Sequence, residues 1–369
     1  MHHWYSISEI DKLDSPALVV FPERVRLNIQ TAISTVGHVD RLRPHVKTNK
    51  SAEATQMMLD AGITKFKCAT IAEAEMLGIV GAQDVVLAYQ PLGPKLIRLI
   101  ELIKKFPLTA YSCLTDNISA AKELSRAFDE NALHVPVYID MNVGMNRTGT
   151  TAGHDAIELA KFCVKAKGIK LAGLHAYDGH LRNENISIRT KECDEAFSAV
   201  EKLKVKLSRM GIAVPNIIAG GSPTFPIHAR RKDVECSPGT FIYWDKGYLD
   251  RCPEQHFVPA AVLVTRVISL PSATLVCTDL GHKSVAAENE LSRRICFLDA
   301  GNLTPVAQSE EHLVCEANPH HSYKTGDVLY GIPYHICPTV ALYERVITVQ
   351  GGSITGEWKN TARDRKITV

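Results

Sequence analysis

The segment RLRPHVKTNK (41–50) places Lys47 directly after a short apolar stretch that carries Leu42 and Val46. Pro44 disfavours a helical conformation in the residue before it, so the stretch is expected to be extended. A lysine at the C-terminal end of a barrel strand is positioned to react with a carbonyl compound. We therefore predict that Lys47 is a reactive amine, and the alternative is a solvated loop charge.

Two further segments carry polar side chains where a strand is predicted to end. Arg147 lies in DMNVGMNRTG (140–149), and an arginine there can hold an anion or a phenolate oxygen. A surface salt bridge is the alternative for this arginine. Tyr177 and His180 lie in LHAYDGHL (174–181), and a lone histidine in such a place can also be structural. We predict that all three side chains face the same site as Lys47.

The segments IIAGGSPTF and SPGTFIYWDKGY provide a predicted anion site. Paired glycines let the backbone approach a ligand, and amide groups in such a turn form an anion nest. The loops after the last two strands of a barrel are a frequent phosphate site. The first segment offers Gly220, Gly221, Ser222 and Thr224 for such a site, and the second offers Gly239, Thr240 and Tyr248. A lysine, an arginine and a phosphate nest are together what pyridoxal phosphate requires.

A possible metal-binding pair lies in YGIPYHICPTVALYE (330–344), where His335 and Cys337 are two residues apart. In an extended segment such side chains point to the same face and can reach one ion. An imidazole and a thiolate suit zinc, whereas manganese and cobalt are further candidates. The alternative is a buried cysteine beside a turn histidine.

Eight strand-like segments alternate with helical ones between residues 17 and about 245. This alternation predicts an α/β fold with a (β/α)8 TIM-type barrel, and a doubly wound open sheet is the alternative. After about residue 250 the chain is rich in Val, Ile, Leu and Thr, which predicts a β-rich C-terminal domain. The predicted strands are 41–46, 65–70, 84–89, 109–113, 135–142, 170–177, 216–221 and 233–239. The predicted domains are an N-terminal segment 1–16 that could pair with the β domain, a barrel 17–250 and a β domain 251–369.

Composition excludes several classes of protein. The 369 residues carry a formal net charge of +2 with interspersed charges, so neither a nucleic-acid partner nor a membrane surface is indicated. No apolar run approaches the roughly 18 residues of a membrane span. The N-terminal residues lack the pattern of a secretory signal. The ten cysteines include several in apolar segments, which is typical of free thiols in a reducing, cytoplasmic compartment.

The motifs together resemble those of the D-threonine aldolase and D-serine dehydratase family, whose N-terminal domain is like that of alanine racemase. The resemblance extends from LDSPALVV (13–20) to ARDRK (362–366) and rests on RPHVKT, KCATIAEAE, DMNVGMNRTG, GLHAYDGH, ECSPGTFIYWD, DLGHKS, QSEEH and PYHICPT. It implies a homodimer that binds pyridoxal phosphate and a divalent metal. It also implies that Lys47 carries the cofactor, Arg147 contacts its phenolic oxygen, Tyr177 packs near it, and His335 and Cys337 hold the metal beside the substrate hydroxyl. The same resemblance implies that five residues hold the cofactor phosphate, namely Gly220, Gly221, Ser222, Gly239 and Thr240.

The resemblance leaves two reactions open. The His-x-Cys pattern is associated with the dehydratases, whereas His180 resembles the residue proposed to take the β-hydroxyl proton in the aldolases. Asn49 stands where the family often has histidine. We predict a lyase that cleaves D-3-hydroxy amino acids to glycine and an aldehyde. The alternatives are D-serine or 3-hydroxy-D-aspartate dehydration, an amino-acid racemase, and a non-catalytic protein that binds pyridoxal phosphate.

Overall fold

A computed structural model describes residues 3–369, which form two compact units. The barrel unit comprises residues Ala32–Lys47, Thr55–Gly239 and Asp364–Val369. The β unit comprises the described residues up to Thr31, together with Thr48–Ala54 and Thr240–Arg363. No helix among residues 3–369 is long and apolar enough to cross a membrane.

Sixteen strands and ten α-helices make up the regular structure of the described chain. The strands are β1 Ala17–Val20, β2 Lys65–Cys68, β3 Asp84–Leu87, β4 Ala110–Thr115, β5 Val135–Asp140, β6 Ile169–Ala176, β7 Asn216–Ala219, β8 Glu235–Cys236, β9 Ala261–Ser272, β10 Leu275–Thr278, β11 Ile295–Phe297, β12 Thr304–Gln308, β13 Leu313–Glu316, β14 Val328–Pro333, β15 Arg345–Gln350 and β16 Ser353–Lys359. The helices are α1 Pro22–Val36, α2 Ala52–Asp60, α3 Ile71–Ile79, α4 Pro94–Lys105, α5 Ile118–Glu130, α6 His154–Lys165, α7 Ile186–Arg209, α8 Phe225–His228, α9 Lys246–Arg251 and α10 Ile336–Leu342.

The barrel unit is a ring of parallel strands in the order β2 to β8, and each strand pairs with the next along the chain. Helices follow the strands because apolar residues recur at helical spacing between them, and capping residues start several of these helices. Thr70 caps α3 and Asn117 caps α5, each accepting a backbone N–H of the first turn. The predicted α/β barrel is therefore confirmed.

The first predicted strand, 41–46, is not a regular strand. It bridges both edges of the sheet, since Leu42 pairs with Cys236 of β8 and His45 pairs with Lys67 of β2. Pro44 lacks an N–H group, so a continuous hydrogen-bond ladder cannot form through it. The segment nevertheless closes the ring and brings Lys47 to the C-terminal ends of the strands.

A buried ion network lies in the barrel at the base of this closing segment. The Arg43 side chain, which is 1% exposed, donates to Glu235 at 2.6 Å and to both carboxylate oxygens of Asp84 at 2.7 and 2.8 Å. Lys65 also contacts Glu235, at 2.6 Å. These bonds connect the closing segment to β3 and β8, so they fix the place where the ring is completed.

The β unit is built on a sheet in the order β12-β13-β10-β9-β1-β15-β16, with β14 pairing with β9 and β11. Its central strand is β9, and β1 lies beside it, antiparallel to β9 and parallel to β15. The sequence assigns residues 17–20 to the barrel, but a run of four buried apolar residues does not specify which sheet receives it. Ser8 donates to the carbonyl of Gly352 at 2.8 Å, so the predicted segment 1–16 contacts the β unit. Residues 1–2 of that segment lie outside the described part of the chain.

Candidate active site

Lys47 lies at the mouth of the barrel unit and lines a cavity of about 650 Å³. The cavity is formed at the C-terminal ends of β2 to β6, which is where parallel barrels place their catalytic groups. Two more of the predicted site residues, Arg147 and Tyr177, line the same cavity. The structure therefore brings together three residues that are up to 130 positions apart in the sequence.

The Tyr177 ring is the common neighbour of the cations in this cavity. The Arg147 guanidinium carbon lies 5.0 Å from the ring centroid, and the Lys47 Nζ lies 5.8 Å from it. A second lysine, Lys67, places its Nζ 5.6 Å from the same centroid. Aromatic faces attract cations at such distances. The ring therefore lies close to all three of these basic side chains.

Lys67 belongs to a buried polar chain that the sequence analysis did not include in the site. Its Nζ lies 3.5 Å from His175 Nε2, and His175 Nδ1 lies 2.7 Å from Asp140 Oδ1. Thr148 donates to the other oxygen of Asp140 at 2.8 Å. The signal in the sequence was the lysine inside the apolar strand KFKC, because a buried lysine requires a partner. Lys67 itself is 2% exposed.

Burial and hydrogen bonding shift the pKa values of the three linked groups, Lys67, His175 and Asp140. Burial disfavours a charge on Lys67, and Lys47 acts in the same direction, so the pKa of Lys67 falls to about 7. Burial also lowers the pKa of His175 despite its hydrogen bond to Asp140. Burial alone would raise the pKa of Asp140, but hydrogen bonds from His175 and Thr148 outweigh it and lower that pKa. At neutral pH the Asp140 carboxylate is therefore ionised, the His175 imidazole is neutral, and the Lys67 amine is close to the midpoint of its titration.

The variant Lys67→Met should be more stable than the wild-type chain, by more at pH 7 than at pH 10. The unfolded lysine keeps its proton up to its ordinary pKa of 10.5, whereas the folded one loses it above about 7. Between pH 7 and pH 10.5 the unfolded state thus binds more protons than the folded state, so wild-type stability rises with pH across this range. Urea unfolding of both proteins without cofactor at the two pH values measures the effect. A stability difference that is the same at both values would contradict it.

The predicted phosphate turn has the geometry of a cradle. Gly220 has a φ of +77°, and a Cβ on it would lie 2.6 Å from the His228 ring. A Cβ on Gly221 would lie 2.9 Å from the Tyr177 ring. Ser222 accepts the N–H of Gly239 at 3.4 Å, so the two predicted halves of the turn meet. The fifth predicted residue, Thr240, belongs to the β unit.

A buried network in the barrel unit supports this turn. Asp178 accepts from Thr224 at 2.7 Å and contacts His228 at 2.8 Å, and Thr224 in turn accepts the N–H of Gly221 at 3.3 Å. Asp178, His228 and Cys193 form the one group of three metal-type ligands found among the described residues. Their polar atoms already bond to one another, and the pKa of the Cys193 thiol is raised to about 12 by burial. The network therefore holds the turn in place, and the sequence analysis did not identify it.

His180 is in the barrel unit, three residues after Tyr177. Its side chain is exposed, and its Nε2 would be 2.9 Å from a Cβ on Gly144. It is not one of the residues that line the Lys47 cavity. Its predicted role as a base remains a prediction.

The predicted metal pair lies in the β unit, and its local conformation differs from the expected strand. His335 has an extended backbone and precedes α10, whereas Cys337 lies in the first turn of that helix. Pro338, the next residue, is compatible with a first helical turn. The imidazole and the thiol still contact each other. The Cys337 sulfur also lies 3.1 Å from the Thr48 hydroxyl. Glu288, which the sequence analysis missed, bonds to His335 Nδ1.

This environment fits a metal ligand. Histidines that bind metals usually donate their other ring nitrogen to a carboxylate, and Glu288 occupies that place. An imidazole and a thiol in contact form a donor pair that suits zinc. The structure thus adds the Glu288 carboxylate as a hydrogen-bond partner of His335.

Comparison with known proteins agrees with this geometry. Residues 21–246 match the family profile described as alanine racemase, N-terminal domain, and residues 260–349 match a putative serine dehydratase domain. The chain is 25% identical to the D-threonine aldolase of Arthrobacter sp, over 95% of this chain and 93% of the relative. It is 23% identical to the D-threo-3-hydroxyaspartate dehydratase of Delftia sp. (strain HT23), over 90% of this chain and 93% of the relative. The crystal structure of D-threonine aldolase from Filomicrobium marinum superposes with a TM-score of 0.89 at 24% identity, covering 97% of this chain and 98% of that one. The predicted resemblance is confirmed.

Proposed function

Because the chain belongs to the family defined by the alanine racemase N-terminal domain, we propose that it is a pyridoxal-phosphate- and metal-dependent lyase that cleaves D-3-hydroxy amino acids. The observation that carries the proposal is the cavity that contains Lys47, Arg147 and Tyr177. Relatives that match over almost the whole chain include both an aldolase and a dehydratase of such substrates. We favour retro-aldol cleavage to glycine and an aldehyde.

The residues of the barrel unit fit the cofactor. Lys47 would hold its aldehyde carbon, Arg147 would contact its phenolic oxygen, and the glycine turn would receive its phosphate. When bound, pyridoxal phosphate supplies an electron sink for the bond that breaks. The turn at Gly220 and Gly221 supports this assignment, because backbone amides in such a turn bind anions and a Cβ on either glycine would collide with the His228 or Tyr177 ring that packs against the turn.

The roles of the remaining residues concern the proton and the hydroxyl group. His180 is proposed to take the proton from the substrate β-hydroxyl, since an imidazole can titrate near neutral pH. His335 and Cys337 would hold the divalent metal, preferably zinc, and a metal there would polarise that hydroxyl. Glu288 would orient His335. The homodimer and the cytoplasmic location stay predictions of the sequence.

A product assay tests the proposed reaction. The enzyme with pyridoxal phosphate is incubated with D-threonine and with D-serine, with zinc, with manganese and with a chelator. Glycine plus acetaldehyde, lost with the chelator, is the expected result. A keto acid plus ammonia would favour the dehydratase alternative, which the His-x-Cys pair and the Delftia relative support. Failure to convert any D-3-hydroxy amino acid would overturn the proposal.

Replacing Gly220 with alanine should weaken the binding of pyridoxal phosphate at least about tenfold, which corresponds to about 1.4 kcal/mol. The reason is that the new Cβ meets the His228 ring and shifts the turn. Gly211→Ala is the matched control, since Gly211 has a similar φ of +74° but no atom within 4 Å of the new Cβ. Both variants bear the backbone strain, but only the first should lose cofactor affinity. If the two variants bound pyridoxal phosphate equally well in a titration, the turn at Gly220 would not be the phosphate site.

Replacing His335 with alanine or Cys337 with serine should remove the tightly bound metal and lower activity by more than the roughly 10- to 100-fold that loss of an outer-shell partner causes. Metal content is measured by elemental analysis after dialysis. Glu288→Gln should weaken metal binding less, because it changes only the orientation of His335. Thr355→Ala, in the strand β16 of the same unit, is the control. Metal retained in both the His335 and Cys337 variants would contradict the assignment.

A further inference from the structure

The last six residues of the chain, 364–369, pack against the barrel unit rather than the β unit. The Glu75 carboxylate in α3, whose side chain is fully buried, accepts the backbone N–H groups of Thr368 and Val369, each at 3.1 Å. It also pairs with Lys105 of α4 at 2.9 Å. Burial alone would raise the pKa of Glu75, but these hydrogen bonds lower it to about 2, so the anchor stays ionised at neutral pH.

A second charged side chain also holds the 364–369 segment. Arg98 in α4 donates to the carbonyl oxygen of Arg365 at 2.9 Å and to the carbonyl oxygen of Val369 at 3.0 Å. The backbone of the segment is thus held at both ends by charged side chains. Its Arg365 side chain lines the cavity that contains Lys47. The segment therefore presents one arginine to the site from a fixed backbone.

The charges around the cavity leave Arg365 without an assigned role. Four cationic side chains line it, namely Lys47, Lys67, Arg147 and Arg365, against the carboxylates of Asp116 and Asp140. In the proposed function, Lys47 holds the cofactor aldehyde carbon and Arg147 contacts its phenolic oxygen. Lys67 bonds to His175 and is buried. Arg365 is exposed and makes no ion pair within residues 3–369, so its planar guanidinium is available for a carboxylate.

We propose that Arg365 binds a carboxylate of the substrate and that Glu75 and Arg98 position it through the 364–369 segment. The inference rests on the proposed function, because it assigns a recognition group for the D-amino acid. A 3-hydroxy amino acid carries an α-carboxylate, and some, such as 3-hydroxyaspartate, carry a second one on the side chain. Both have the chemistry that a guanidinium recognises, and the experiment separates them.

Equilibrium binding to the holoenzyme tests this inference with amino acids that lack the β-hydroxyl and are not cleaved. The probes are D-alanine methyl ester, D-alanine and D-aspartate, and the readout is the absorbance of the bound cofactor. If Arg365 binds the α-carboxylate, the preference for D-alanine over its ester should fall about tenfold or more in Arg365→Met. If it binds the side-chain carboxylate, the preference for D-aspartate over D-alanine should fall instead. Either result supports the proposal.

Arg365→Lys should retain part of the preference, and Glu75→Gln should reproduce part of the loss because it loosens the segment. Lys366→Met is the control, since Lys366 is exposed beside Arg365 and does not line the cavity. If Arg365→Met changed neither preference, the inference about Arg365 would be overturned. The proposed function would be unaffected as long as the wild-type enzyme cleaved D-3-hydroxy amino acids. A wild-type holoenzyme that binds none of the three probes would overturn this inference, and only the product assay decides the proposed function itself.

Discussion

Replacing Lys47 with alanine should abolish the covalent link to pyridoxal phosphate and reduce the cleavage of D-threonine roughly 10³-fold or more. A covalent catalytic group has no substitute once its amine is removed. The cavity contains a second lysine, Lys67, whose amine lies as close to the Tyr177 ring as that of Lys47. The matched variant is therefore Lys67→Met, which should keep the absorbance of the linked cofactor.

The two lysines are distinguished by their surroundings. Lys67 is fully enclosed and bonds to His175, whereas Lys47 is only partly buried at the cavity mouth and can reach a ligand. Activity and cofactor absorbance are measured for both variants at saturating cofactor. If Lys67→Met lost the linked cofactor while Lys47→Ala kept it, the assignment of the two lysines would be reversed.

Replacing Arg43 with methionine should lower the free energy of unfolding by about 3–5 kcal/mol. The Arg43 side chain is almost completely buried. Its replacement leaves Lys65 as the remaining ion-pair partner of Glu235 and removes both hydrogen bonds to Asp84. Arg126→Met is the control, because Arg126 makes an exposed contact of 3.9 Å with Glu130 and should cost less than about 1 kcal/mol. Urea denaturation compares them.

Equal losses for Arg43→Met and Arg126→Met would show that the buried network contributes no more than a surface pair. The expected loss also bears on the active site. Arg43 is four residues before Lys47 in the segment that completes the ring, so loosening this segment should weaken cofactor binding as well as stability.

The sequence predicts the barrel because its strand and helix periodicities alternate regularly, and the strands β2 to β8 form where the apolar segments predicted them. It does not reveal that 41–46 closes the ring through isolated bridges, because the local pattern shows an apolar segment and not its partners. It also assigns residues 17–20 to the barrel although β1 lies in the other sheet. Four consecutive apolar residues are compatible with either place.

Within the site, the sequence identifies residues that follow strands but not residues that lie within them. Lys47, Arg147 and Tyr177 were found from their positions at strand ends. Lys67 and His175 lie inside strands, where a single sequence does not show that a polar side chain faces the barrel interior. Glu288 is 47 residues from His335, and only the folded β unit brings the two together.

Borohydride reduction of the holoenzyme followed by peptide mapping identifies the lysine that carries pyridoxal phosphate. Reduction makes the link between the cofactor and its lysine permanent, so the modified peptide carries an added pyridoxyl phosphate mass. We expect that mass on Lys47 and none on Lys67. Modification of Lys67, or of no residue in the barrel unit, would contradict this expectation.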